Sequence, residues 1–301
     1  VRRSFLLTSL AGVAAPEAQS KVVIARGAPN ALALLDKAMQ SFFDCDSPVE
    51  AWKRVVRPGE VVGLKVNCLA GRGNSTSVAL VEAICERLQQ TGIAQKDIVV
   101  WDRLTSDLEH GGFRIGSRRD RIQYVGNDAA GYEDELTVFG SAGSRLSRTL
   151  TRTASAVINL PVLKDHGIVG VTMALKNLFG AIHNPNKYHL NKGDPYVADV
   201  YMLPPIRQKV RLTICDAITA QYEGGPSFMP QWTWPFNGLL VATDPVALDS
   251  VGWRIIEQKR AEKGMKSLKE AGREPAYIAT AAGVAHRLGT NDPKQIRRVE
   301  V

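Results

Sequence analysis

Five short apolar runs, each finishing in a polar or ionisable residue, constrain this chain more than anything else in it. Glu60–Asn67 (EVVGLKVN) finishes in Lys65 and Asn67, Asp97–Trp101 (DIVVW) in Asp102, and the run from Ala156 to Leu163 in Lys164 and His166. Arg211–Cys215 (RLTIC) leads into Asp216, and Gly238–Ala242 into Asp244. Runs of this length, rich in β-branched residues, read as buried strands. Segments of helical spacing separate several of them: Asn30–Phe43 carries Leu32, Leu35, Met39 and Phe42, and Val78–Gln90 carries Val78, Val81, Ile84, Cys85 and Leu88. A strand–helix–strand order calls for parallel pairing through a crossover. The expected fold is α/β, a mostly parallel twisted sheet with helices on both faces, assembled from Rossmann-like units. Ligands of such sheets sit outside the carboxyl ends of the strands. Five ionisable strand ends therefore point to one shared site, although the same aspartates also suit helix capping, Asp244 before Pro245 above all.

A chain of 301 residues can bury a sizeable core, and 45% hydrophobic with 23% charged residues excludes a disordered or fibrous class. The net charge is +8, but acids interrupt even the densest basic run, Arg254–Arg273. No uninterrupted basic block and no nucleic-acid motif is present, so the expected partner is a small anionic molecule and not a nucleic acid. Residues 21–301 read as the α/β domain, possible as two lobes dividing near residue 150. Arg103–Ser155 reads as an irregular insertion with small strands such as Ile122–Val125. Asn184–Asp199 reads as a long binding loop, Arg254–Ala271 as a solvated helical face, and Tyr277–Leu288 as a closing helix. Cys45, Cys68, Cys85 and Cys215 are scattered without zinc-like spacing, which reads as buried reduced thiols.

The opening residues VRRSFLLTSLAGVAA read as an address and not as structure: Arg2-Arg3 precede a modest apolar stretch, the pattern of a twin-arginine export signal. Residues 1–20 are assigned to it, which makes the export machinery a partner and the periplasm the expected location. Its apolar part is shorter than the roughly 20 residues a membrane span needs, and no other segment is long and apolar enough.

Chemistry concentrates between Ala156 and Gly180. Pro161 cannot donate to a ladder, so the strand is expected to end or lie at an edge there. A helix is expected from near Gly170, with Val171, Ala174, Leu175 and Leu178 on its apolar side and Thr172 and Lys176 one turn apart on the other. Lys65, Lys164 and Lys176 then form a cationic corner able to hold carboxylate or phosphate oxygens, with Asn67, Thr172 and Asn177 as neutral donors. His166, with an ordinary pKa of about 6.5, is the expected acid/base. Repulsion among close lysines lowers at least one pKa, so Lys164 and Lys176 are catalytic candidates as well. Asp102, Asp216, Asp244 and Asp249 either balance this charge or bind a divalent ion.

The loop Gly71–Thr76 lacks both G-x-x-x-x-G-K-[ST] and G-x-G-x-x-G, yet Ser75, Thr76 and the helix start after them suit a phosphate or carboxylate. Neither G-x-S-x-G nor H-E-x-x-H occurs, which argues against serine hydrolysis and zincin chemistry. His183 and His189 flank a loop where a metal remains open.

The run P-V-L-K-D-H-G-I-V-G-V-T-M-A-L-K-N-L-F-G (Pro161–Gly180) resembles the signature of family 362 among the domains of unknown function, a P-x-x-K-x-H element followed by a T-x-x-x-K-N-x-x-G helix. The resemblance extends to Lys65-Val66-Asn67, to Tyr222-Glu223-Gly224-Gly225-Pro226 and to Asp244-Pro245-Val246-Ala247-Leu248-Asp249, covering about Glu60 to Gly252 in order. It implies an α/β fold distantly similar in layout to the nickel-dependent lactate racemase group, and it adds Gly225 to the ligand-binding set. It names no reaction and no cofactor. Many members carry a ferredoxin-like cysteine cluster; this chain lacks the close cysteine run that a [4Fe–4S] cluster needs, so no iron–sulfur cluster is expected. Three functions follow as expectations: an exported enzyme of proton-transfer, isomerase- or racemase-like chemistry on a small anion; a non-catalytic cofactor- or metal-binding maturation factor; or a redox protein without the cluster.

Overall fold

The computed structural model describes residues 19–116 and 120–301. Arg2, Arg3 and the apolar stretch after them lie outside the described residues. Along the chain the strands are β1 (Ser20–Arg26), β2 (Val62–Lys65), β3 (Ile98–Asp102), β4 (Gln123–Gly126), β5 (Thr137–Phe139), β6 (Ala142–Ser144), β7 (Ala156–Asn159), β8 (Val162–His166), β9 (Gly170–Thr172), β10 (Val210–Gln221), β11 (Thr233–Ala242) and β12 (Ile296–Glu300). One sheet runs β12-β1-β11-β10-β7-β2-β3-β4, with β8 and β9 branching from β10, and β5–β6 make a separate hairpin. β10, β7, β2, β3 and β4 are mutually parallel, as is β12 with β1, whereas β11 runs against both of its neighbours. The architecture is α/β with a mostly parallel sheet, as the strand–helix alternation predicts.

Strand alternation explains why both faces carry helices. Val22, Ile24, Trp101 and Val157 point into one apolar core, together with Ala174, Leu175, Leu178, Val246 and Leu248. Val23, Ala25, Val100 and Ile158 point into the other, with Leu35, Met39, Trp52, Ile84 and Leu88. A period of two places successive side chains on opposite faces, so each strand needs two covers. The helices Ala31–Phe43 and Val78–Gln90 start where Asn30 and Ser77 accept N–H bonds from Ala33 and Leu80. These are ordinary side-chain caps.

Several local expectations need correction. The helix expected from Gly170 begins later: Gly170–Thr172 pairs antiparallel with Lys164–His166, and only Ala174–Asn177 is α-helical. The strand does end before Pro161, as expected, β7 stopping at Asn159 and β8 starting at Val162, with Pro161 between them. The Pro161 carbonyl accepts the Asp216 N–H at 2.8 Å, and pairing with β10 resumes at Val162. Lys164 and His166 therefore lie within a strand. Residues Pro185–Gly193 form a kinked 3₁₀ segment and Tyr196–Tyr201 a helix where a loop was expected. Ile122–Val125 corresponds to β4, a parallel strand of the main sheet. The helix from Pro245 stops at Glu262, and Tyr277–Ala282 is shorter than expected.

Candidate functional site

The β8–β9 hairpin sets the site: it lies off the main strand path, and its Lys164, His166 and Thr172 line one cavity with Lys65 and Asp102 from the carboxyl ends of β2 and β3. A cavity of about 380 Å³ opens there, lined by Lys65, Asn67, Asp102, Lys164, His166, Thr172, Lys176 and Asn177 with Phe179, His189 and Pro226. The cationic corner expected from sequence is thus assembled, but its three lysines differ.

Lys65 is committed. Its Nζ donates to Asp102 Oδ1 at 2.7 Å and to the Val66 carbonyl at 2.6 Å. Gly180 permits this pair: a Cβ there would lie 2.7 Å from the Lys65 Nζ, so the final glycine of the motif leaves room for an ion pair. Lys164, wholly buried, has only neutral acceptors, Asn67 Oδ1 at 2.9 Å and the Asn74 carbonyl at 3.2 Å. Burial pulls its pKa down to about 8. Lys176 has no hydrogen-bond acceptor and no carboxylate among the described residues, and its Nζ stands 4.3 Å from the centre of the Phe179 ring. Burial, and then the charge of Lys164, lower it to about 7.

Its position is fixed from behind. Asp249, on the helix Pro245–Glu262, accepts N–H bonds from Ala174 at 2.7 Å and Leu175 at 3.2 Å, capping the short helix that carries Lys176. Asn177, next along, binds Asn159, Asn67 and the Lys65 carbonyl through one amide. Buried amides joined this way hold one another in a single arrangement.

His166 does not have the ordinary acid/base state expected of it. Its Nδ1 accepts the N–H groups of Ile168 at 3.1 Å and Val169 at 3.3 Å, closing its own hairpin turn. Burial first, and then the charge of Lys176, push its pKa down to about 2. The ring is neutral at physiological pH, with its proton on Nε2, and stacks on His189 at 5.3 Å between centroids. His189 meets Phe179 edge-on at 5.8 Å.

The four aspartates are not assembled as a metal centre. Among the described residues no three histidine, cysteine or acidic groups come together as a metal site would require. Asp102 accepts the Cys68 and Arg103 N–H groups besides Lys65. Asp216 holds Ser77 and Ile218 N–H groups, and Asp244 caps Ala247 and holds Thr290. Asp249 is the cap described above. Each carboxylate is occupied by backbone donors, as at helix and turn starts.

Ser75 and Thr76 also lie off the cavity. Ser75 bonds the Gly71 carbonyl, while Thr76 bonds the Leu160 carbonyl and receives the Asn67 N–H, positioning Asn67 from outside. Gly225 faces the opposite side of β8. Its N–H donates to Asp165 Oδ1 at 2.8 Å, and a Cβ there would sit 2.7 Å from that oxygen, so glycine is required for packing. All four cysteines carry free thiols, and Cys68, Cys85 and Cys215 are buried.

Sequence reasoning missed Phe179 and the stacking role of His189, both set by the fold of Ala174–Gly193. It also missed the charges behind β8. Asp165 is bound by Arg273 at 2.6 Å, Arg273 also binds Glu223, and Glu223 binds Arg260. Only the alternation of Lys164, Asp165 and His166 along a strand signals that the middle residue faces away.

The chain is 29% identical over 256 residues to the thylakoid-associated protein sll1697 of Synechocystis sp., covering 81% of this chain and 73% of that one. A crystal structure of a Thermotoga maritima protein is 9% identical with a TM-score of 0.42, covering 78% of this chain and 60% of that one. Residues 62–254, which include every side chain of the cavity discussed above, match the model of the domain of unknown function DUF362, and the chain belongs to that family.

Proposed function

We propose that the cavity binds a small anionic substrate or cofactor and transfers a proton on it. One observation carries this reading: Lys164 and Lys176 place two amines in one half-open cavity, and among the described residues neither forms an ion pair with a carboxylate. Uncompensated buried charge is unfavourable, and an incoming carboxylate or phosphate removes that penalty. The Lys65–Asp102 pair supplies shape and not net charge. The acid/base is Lys176, whose pKa of about 7 lets it give and take a proton near neutrality. His166 serves as a neutral Nε2–H donor.

The test is a thermal-shift screen of organic acids and phosphates. A true ligand at 100 times its Kd adds about 2.7 kcal/mol of stability. Lys164→Ala and Lys176→Ala should each abolish the shift while the protein stays folded. A shift that persists in both variants would place the anion elsewhere.

The export reading is also a proposal. Arg2-Arg3 and the apolar residues after them support delivery to the periplasm through the twin-arginine machinery. Replacing both arginines with lysine should trap the protein in the cytoplasm on fractionation; unchanged periplasmic recovery would refute it.

A further inference from the structure

Anion binding does not by itself explain why one of the two amines has no acceptor. Lys209 shows how this fold treats a structural lysine: its Nζ donates to the carbonyls of Leu150, Thr151 and Ala154 at 2.7, 3.0 and 2.8 Å. Lys164 takes two acceptors, and Lys65 a carboxylate and a carbonyl. Lys176 takes none and faces the aromatic edge of a cavity. An amine held rigidly, stripped of acceptors and set beside a second cation has its lone pair available, the arrangement that activates a lysine toward carbonyl carbon.

We propose that Lys176 is a covalent nucleophile whose Nζ condenses with the carbonyl group of a small oxo acid while Lys164 holds the acid's carboxylate. This rests on the anion-site reading and names its substrate class. The neutral amine attacks the carbonyl carbon, a C–N bond forms, and the carbonyl π pair moves to oxygen. The nitrogen gives up a proton and the oxygen gains one, producing a carbinolamine. A second proton on that oxygen lets the C–O bond break; one water leaves and an iminium remains. No oxidant or reductant enters.

The surroundings suit this step. A lysine lowered to about 7 keeps a substantial neutral fraction at physiological pH. The His166, His189 and Phe179 rings line one wall of the cavity, with centroids 5.3 and 5.8 Å apart in sequence. The Asp249 cap and the Asn177 amide hold the helix that aims the amine.

Reductive trapping tests the proposal on the full chain. The protein is incubated with pyruvate or 2-oxoglutarate and sodium cyanoborohydride, then measured by intact mass and peptide mapping. One adduct per chain is expected on Lys176, heavier by the mass of the acid less one oxygen. The matching hydroxy acid should block it, Lys176→Arg should remove it, and Lys164→Ala should slow it roughly tenfold, as loss of a charge-assisted contact does. The mapping needs only the unaltered protein, so a variant that fails to fold does not decide the result. Sub-stoichiometric labelling scattered over exposed lysines overturns the proposal. No adduct, with a thermal shift from the hydroxy acid retained, overturns the covalent role and leaves the anion site standing; loss of both signals removes both readings.

Discussion

The two faces of strand β8 carry similar amounts of charge and treat it in opposite ways. Behind the strand, Asp165, Arg273, Glu223 and Arg260 form an alternating chain in which every charge meets its opposite. In front, Lys164 and Lys176 share a cavity in which, among the described residues, neither is ion-paired. Alternation along one strand separates the two arrangements by a single residue. The difference separates two uses of buried charge: a paired network is a fastening, whereas the unpaired amines in front are what the proposed anion site rests on. The paired side still supports the open one, because Arg273 also donates to the His166 carbonyl at 3.4 Å.

The comparison breaks most visibly on its paired side. Asp165→Ala removes one of the two carboxylates that hold Arg273 and leaves the Gly225 N–H without its acceptor, and should cost about 3–5 kcal/mol in urea denaturation. A loss under 1 kcal/mol would mean the network is incidental.

The opposite sign is expected in front. Lys176→Met removes a burdened charge and should stabilise the protein by up to about 5 kcal/mol at pH 6. The sign follows from linkage: the folded-state pKa of about 7 lies below the unfolded value of 10.5, so the unfolded chain binds more protons between them. Stability of the unaltered protein therefore rises with pH across that window. The gain from the substitution should fade toward pH 10.5, and a gain that does not depend on pH would assign it to packing instead.

Affinity sharpens the contrast further. Of the cavity's ionisable groups, Lys65 and Asp102 neutralise one another and His166 is already uncharged, while Arg103, Asp107 and His189 stand at the wall. Anion affinity should fall about tenfold or more from pH 7 to pH 9 as Lys176 and Lys164 lose their protons near 7 and 8. Calorimetry at the two pH values measures this. The smallest effect is an expected constancy: ¹⁵N spectra of His166 should show the Nε2–H tautomer unchanged between pH 4 and 8, because its pKa is held at about 2. A midpoint near 6.5 would restore the ordinary acid/base role.

Much of this was legible in the sequence where local rules and tertiary demands agree. Val78–Gln90 is helical over the residues its spacing predicts, and Lys65, Asn67, Lys164, His166, Thr172, Lys176 and Asn177 do line one cavity. Pairing was not legible. Nothing local tells that Lys65 meets Asp102 or that Asp165 meets Arg273 across 108 positions, yet that pairing decides which charges remain open. The aspartates misled for a related reason: a carboxylate beside a strand end serves backbone N–H groups as readily as a metal, and Asp216, Asp244 and Asp249 all do so. Gly170–Thr172 was misread because its apolar residues fit a helix or a hairpin equally, and antiparallel pairing with Lys164–His166 settled the matter.

The turn Gly167–Val169 offers a way to retune this scaffold. Ile168 is 49% exposed at the hairpin tip and also lines the cavity, while neither of the sheet's two apolar cores depends on it. Bulk or polarity introduced there should reshape the entrance, changing which molecules are admitted while the chemistry at the floor is left alone. On the proposed reading, what the cavity admits is set from an exposed tip while the amine sits on a capped helix, so the two can change one residue at a time.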